Sequence, residues 1–211
     1  MTTIILTSTV NVHNVSYIYQ TDPASRIQTY LASIKKWLYE TNLNIVLVEN
    51  SGYNFNELNE EKEHFKSRFE VICFDEKTLP QAKFLQEAQF GKGRHEIFAI
   101  NYAYYNSKLL QLANFIIKIT GRFYIPELET FLNNHDLNNY DCLVQNNRIR
   151  CELVGSHKTN FNSIFNINID EEHVESVWHR RTSIYPRILI CKIFKIEDTP
   201  RGGNPDKYNT I

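Results

Sequence analysis

The chain has 211 residues, of which 42% are apolar and 22% charged, with a formal net charge of -1. That length accommodates one α/β domain with a substantial core, and the near-neutral balance excludes bulk electrostatic attraction to nucleic acid. No stretch approaches the ~20 apolar residues of a membrane-spanning helix, and Met1-Thr2-Thr3 lacks the basic region that opens a signal peptide.

In chain order, Ile4-Ile5-Leu6 opens a first strand that ends at Thr7-Ser8-Thr9. A polar connection leads to Asp22-Pro23, where Asp22 or Ser25 can cap a helix and Pro23 suits its first turn. The apolar spacing of Ile27, Tyr30, Leu31, Ile34, Trp37 and Leu38 predicts an amphipathic helix. Ile45-Val46-Leu47-Val48 reads as a second buried strand ending in Glu49-Asn50-Ser51-Gly52. A charged helix around Asn59 to Lys66 and a third strand over 69–74 follow. This β-α-β-α-β order predicts a parallel sheet with right-handed crossovers.

A long connection over 75–92 ends at Gly91-Lys92-Gly93, and a helix is expected from about Arg94 to Leu110. Phe115-Ile116-Ile117-Lys118-Ile119 is an apolar run of the kind buried on both sheet faces. It stops at Thr120-Gly121-Arg122. Beyond it the pattern predicts a helix near Pro126 to Leu132, then a hairpin with strands at 142–144 and 148–154 turning at Asn146-Asn147. An irregular Asn-rich stretch over 160–168, a helix over 171–181 and a last strand over 187–196 complete the pattern. The expected fold class is α/β: a mostly parallel central sheet flanked by helices, with a smaller antiparallel C-terminal part. One domain spans 1–199, with a nucleotide-binding half at about 1–125 and an acceptor-side half at 126–199; residues 200–211 read as a flexible tail or linker.

The four cysteines, Cys73, Cys142, Cys151 and Cys191, have no C-x-x-C spacing, and three sit in strand-like apolar runs. They read as core thiols in a reducing compartment, which gives a cytoplasmic placement with attachment at the inner face of a membrane left open.

Ligands of open α/β sheets sit beyond the carboxyl ends of the strands. Thr7, Ser8, Thr9, Glu49, Asn50, Thr120, Gly121 and Arg122 should therefore share one rim, whose hydroxyls and carboxamides suit a base and ribose. Gly91-Lys92-Gly93-Arg94-His95-Glu96 places glycines and positive charge before a helix, where free N–H groups favour an anion such as a diphosphate. It is not a Walker loop, and it also reads as a plain turn and helix start. Glu96, in the first turn, can cap the helix or meet a sugar hydroxyl. Glu172, Glu175 and His179 fall on one face of the predicted 171–181 helix and are the candidates for general base.

The order of Glu49-Asn50-Ser51-Gly52, Gly91-Lys92-Gly93-x-x-Glu96, Asn106-Ser107-Lys108 and Lys118-Ile119-Thr120-Gly121-Arg122-Phe123 resembles a group of bacterial and large-DNA-virus sugar transferases with a GT-A-like, Rossmann-like fold. The resemblance covers about residues 4–125 well and the remainder loosely. It implies a glycosyltransferase moving a sugar from a nucleotide-diphosphate donor (UDP-, GDP- or another sugar) to a glycan, a polysaccharide precursor or a lipid-linked acceptor. Inverting chemistry is favoured, peripheral membrane association is open, and the chain can be a module of a longer polypeptide. Thr120-Gly121-Arg122 then stands where many such enzymes carry Asp-x-Asp. No bidentate site for Mn²⁺ or Mg²⁺ is evident there, so Arg122 with Lys92 or Lys118 would neutralise the leaving phosphate. Asp75, beside Glu76, is the remaining metal candidate. Glu175 is the best positional match to an acceptor-facing glutamate. The rival expectation is a nucleotide- or glycan-binding α/β module without turnover.

Overall fold

The structure is a computed structural model that describes residues 1–12, 18–87, 92–147, 150–168, 173–201 and 205–211, without the side chains of residues 86, 87 and 92. The first half follows the expected alternation. Strand β1 (Thr2–Ser8), helix α1 (Pro23–Glu40), β2 (Asn44–Glu49), the short α2 (Asn59–His64) and β3 (Phe69–Cys73) come in turn. Next are α3 (Phe84–Glu87), α4 (Lys92–Asn106), α5 (Lys108–Leu112) and β4 (Phe115–Thr120). The second half holds α6 (Leu128–Asn133), β5 (Cys142–Val144), β6 (Leu153–His157), α7 (Phe161–Ile164), α8 (Val174–Ser183), β7 (Ile188–Ile190), β8 (Lys195–Pro200) and β9 (Lys207–Thr210).

Seven strands form one sheet in the order β3-β2-β1-β4-β6-β5-β7, and β8 and β9 form a separate antiparallel pair. Only β6 runs against its neighbours β4 and β5. The chain lays down β1, β2 and β3 outward in one direction, then returns to place β4 on the other side of β1. That reversal between β1 and β4 is a topological switch point, where open sheets leave a crevice. The register aligns Thr7 with Thr120 and Ser8 with Glu49, so the polar ends of all three strands meet on one edge.

Period-two alternation divides the buried strand residues between the two faces. Ile4, Leu6, Ile117 and Ile119 face α1, where Ile34 and Trp37 cover them; Ile5, Val46 and Ile116 face α4 and α8, through Ile97, Ile100 and Trp178. Helix α1 starts as the sequence indicates: the Asp22 carboxylate accepts the Ser25 N–H at 2.8 Å, and Pro23 follows. Such a cap contributes about 1 kcal/mol. Trp37 then ties this helix to the end of β4, donating its indole N–H to the Phe123 carbonyl at 2.9 Å.

Several expectations about the elements change, among them the irregular stretch over 160–168, which holds α7, and the connection over 75–92, which holds α3. The helix expected from Arg94 to Leu110 breaks at Ser107, whose hydroxyl oxygen instead accepts the Leu110 N–H at the start of α5; serine competes with the helix backbone in this way. The tight turn at Asn146-Asn147 gives way to a longer connection, because Val144 pairs with Val154; residues 148 and 149 lie outside the described residues. The strand expected over 187–196 is two short strands, since Cys191 and Phe194 turn into the core between them. The flexible tail expected from residue 200 is also corrected. Lys207–Thr210 pairs with β8, and the terminal Ile211 is buried against the α1-side core. Tyr208 and Ile211 supply the apolar contacts that hold this segment.

Candidate active site

A cleft of about 450 Å³ opens at the β1/β4 switch point. Its floor is Thr7, Ser8, Thr9 and Thr120; Gly93, His95 and Glu96 come from α4, and Val174 and Glu175 from α8. Asn50, Glu76, Tyr30, Arg122, Glu152, Arg201 and Tyr208 complete the walls. The sequence-predicted rim is thus one place. Several of its residues, however, serve the scaffold and do not face the cleft.

Glu49 is fully buried, and its carboxylate accepts the N–H groups of Val10, Ser51 and Tyr53, each at 2.9 Å. Burial pushes its pKa up against these hydrogen bonds. Its task is to fold the loops after β1 and β2 together; it does not line the cleft. Asn50 does, accepting the Thr9 hydroxyl at 2.6 Å and donating to Glu76 at 2.8 Å. Glu76 in turn meets His95 Nδ1 at 2.8 Å. Ser8 donates to the Val48 carbonyl at 3.0 Å.

Gly121 brings backbone close to backbone. A Cβ there would stand 2.6 Å from the Thr7 carbonyl oxygen, which accepts the Gly121 N–H at 2.8 Å. Gly93 likewise lets α4 approach α8, since a Cβ would lie 2.6 Å from that of Val174. Both glycines close the scaffold around the cleft.

Lys118 does not reach the cleft. Its side chain is fully buried, and the ammonium bonds Glu96 Oε1 at 2.8 Å, the Cys151 carbonyl at 2.8 Å and the Thr120 hydroxyl at 3.2 Å. It also stands 4.9 Å from the centre of the Trp178 ring. Burial pulls its pKa down, but the Glu96 charge leads a set of contacts that hold it above the ordinary value. A phosphate-binding role for Lys118 is therefore corrected: its positive charge is sequestered behind Glu96.

Arg122 remains. It is half-buried, lines the cleft, and among the described residues makes no hydrogen bond or ion pair; its guanidinium stands over the Phe123 ring, 5.9 Å from the centre. The other cleft arginines are engaged. Arg26 donates to the carbonyls of Thr9 and Gln20 at 2.7 and 2.9 Å, and Arg201 faces Asp206 at 3.6 Å.

Of the candidate bases, Glu175 lies in the first turn of α8, half-buried at the cleft wall and without a hydrogen-bond partner among the described residues. His179 is exposed and lines a separate small cavity with Gln145 and Trp178. Glu172, Gly91 and the Lys92 side chain lie outside the described residues. Asp75 does not line the cleft; its carboxylate accepts the Lys77 N–H at 3.0 Å within a local turn. Among the described residues no group of three His, Cys, Asp or Glu side chains is arranged to hold a metal ion.

The C-terminal hairpin contributes a wall that the sequence did not disclose. The Arg150 guanidinium stands over the Tyr208 ring at 3.6 Å from its centre and that of Arg201 at 4.4 Å, and the ring packs 5.9 Å from Phe123. Arg150 also bonds Glu152 at 3.2 Å. Arg150-x-Glu152 in a strand-like run offers no sign of the distant Tyr208.

No family model and no curated protein sequence matches the chain. Solved structures do. A protein from Desulfovibrio desulfuricans G20 described as a nucleotide-diphospho-sugar transferase superposes with a TM-score of 0.51 at 15% identity, over 90% of this chain and 79% of its own. The glycosyltransferase GlyE of Streptococcus pneumoniae gives 0.55 at 8% identity, over 90% of this chain and 45% of its own. TarS of S. aureus, in a structure with UDP, gives 0.50 at 14%, with 90% and 58% covered. The same architecture also carries a cytidylyltransferase from Leptospira borgpetersenii, at 0.51 and 11%, with 90% and 75% covered. These likenesses define the fold: a GT-A architecture, shared with nucleotide-sugar transferases. The chain spans less than two thirds of GlyE and TarS.

Proposed function

We propose that this chain is a glycosyltransferase that moves a sugar from a nucleotide-diphosphate donor to a hydroxyl of a glycan or a lipid-linked polysaccharide precursor. The observation that carries this reading is Arg122, a cation without a hydrogen-bond or ion-pair partner among the described residues, half-buried in a cleft at the switch point of a GT-A fold. A guanidinium held in such a place has unmet capacity for a bidentate, charge-assisted contact with phosphate. The UDP in the TarS structure supports a nucleotide as the guest.

The base and ribose would lie toward Thr9, Asn50 and Tyr30, the diphosphate against Arg122 and the start of α4 at Gly93, and the sugar toward Glu96 and Thr120. Glu175 would take the proton of the acceptor hydroxyl. The acceptor oxygen bonds the anomeric carbon as its bond to the β-phosphate breaks, and the electron pair leaves with the nucleoside diphosphate. Arg122 stabilises the charge that develops on that phosphate. On this reading Thr120-Gly121-Arg122 takes the place of a metal-binding carboxylate pair, and the task falls to Arg122.

A thermal-shift panel of UDP, GDP, UDP-glucose, GDP-mannose and CTP tests the reading. A true ligand at 100 times its Kd stabilises the fold by about 2.7 kcal/mol. One diphosphate and its sugar conjugate should do so, and Arg122→Ala should abolish the effect. Stabilisation by CTP alone would redirect the assignment to nucleotidyl transfer. Binding of a nucleotide sugar without hydrolysis or transfer, in wild type and Glu175→Gln alike, would favour a binding module.

A further inference from the structure

We infer that Lys118 is a positioning residue whose buried ammonium fixes the Glu96 carboxylate for hydrogen bonding to the hydroxyls of the donor sugar. The inference rests on the donor assignment above and explains a feature that assignment does not use: a fully buried lysine in the central strand β4. Burying an ammonium is costly unless it is paired and hydrogen-bonded. Here the cost is offset by three oxygen contacts and the face of Trp178. None of these contacts is needed to bury β4, whose neighbouring positions are isoleucines.

What the ammonium does is visible at Glu96. Oxygen Oε1 receives both Lys118 Nζ at 2.8 Å and the Thr7 hydroxyl at 2.7 Å. Those two bonds come from β4 and β1, the strands flanking the switch point, while Glu96 itself belongs to α4. The carboxylate is thereby locked between three elements, with a fifth of its side chain exposed at the cleft. Its second oxygen, Oε2, carries no hydrogen bond among the described residues. A carboxylate fixed at one oxygen and open at the other is an acceptor-only group set for sugar hydroxyl donors. Lys118 does not line the cleft and acts through Glu96.

The test is calorimetric titration of wild type, Lys118→Met, Glu96→Gln and the double variant with UDP, UDP-glucose, GDP and GDP-mannose. Methionine keeps the length of the side chain and removes the charge. For the base that binds, both single variants should weaken the sugar conjugate about ten- to hundredfold, the loss expected for charge-assisted hydrogen bonds. The free diphosphate should change less than about twofold on the same scale. The double variant should be no worse than the worse single variant, because the two residues act as one unit. It also removes both charges of the ion pair, so it keeps the test valid where Lys118→Met alone fails to fold. Equal weakening of diphosphate and sugar conjugate by Lys118→Met would show a structural role only and overturn the inference. So would a loss from Glu96→Gln that Lys118→Met does not share. Failure of wild type to bind any of the four probes would instead overturn the donor assignment, and the inference with it.

Discussion

Gly121→Ala separates two roles that glycine can have at a strand end. The new Cβ would lie 2.6 Å from the Thr7 carbonyl oxygen, where ordinary contact begins at 3.4 Å, so the two backbones must part by about 0.8 Å. Both are buried main chain, Thr7 in β1 and Gly121 just beyond the end of β4, and neither can rotate away. Overpacking of this kind costs about 1–3 kcal/mol. The Gly121 N–H to Thr7 carbonyl bond, 2.8 Å long, stretches with it; its loss adds about 0.5–1.5 kcal/mol. A total of about 2–4 kcal/mol is below the usual stability of a domain, so the variant should fold and melt earlier by roughly 5–15 °C. Urea unfolding followed by tryptophan fluorescence measures it, since Trp37 and Trp178 lie in the two cores. Thr7 also holds Glu96, so affinity for the nucleotide sugar should fall in parallel. Unchanged stability with lost affinity would refute the argument, because it would mean that Gly121 makes room for the ligand and not for Thr7.

Three further outcomes follow from particular contacts. Tyr208→Ala removes two cation–π contacts, worth about 0.5–1 kcal/mol each at exposed sites. It should lower stability by about 1–2 kcal/mol and weaken donor binding, as measured by urea unfolding and titration. Cys73 and Cys191 are pushed up by burial to about 11 and 12, and Cys151 well above the ordinary thiol value for the same reason. At pH 8 the thiolate fraction of Cys73 is only about 10⁻³, so Ellman's reagent should react slowly with all three in native protein and rapidly in urea. Because Arg122 carries the phosphate charge in this account, donor binding and hydrolysis should survive EDTA; abolition by EDTA and recovery with Mn²⁺ or Mg²⁺ would place a metal there instead.

The first strands were legible because they are continuous apolar runs that end sharply in polar residues and alternate with helices, which predicts parallel pairing; the return of β4 to the far side of β1, which opens the switch point, came from the structure. The rim residues could be named from the same polar ends. Their roles could not. Sequence does not distinguish a carboxylate that lines the cleft, such as Glu96 on α4, from one that folds its own loops, such as Glu49 at the end of β2. Nor does it reveal which way Lys118 points within β4, or that Glu96, two elements earlier, awaits it. The hairpin wall was illegible because it depends on Tyr208 packing against Arg150, far away in sequence. Its Gly202-Gly203-Asn204-Pro205 run carries the composition of a linker.

The most direct measurement is a structure of the chain with the nucleoside diphosphate that the stabilisation panel selects. The account predicts the diphosphate in contact with Arg122 and the first turn of α4, with the base beside Thr9, Asn50 and Tyr30. A nucleotide bound elsewhere, or in this cleft with Arg122 turned away from its phosphates, would contradict it.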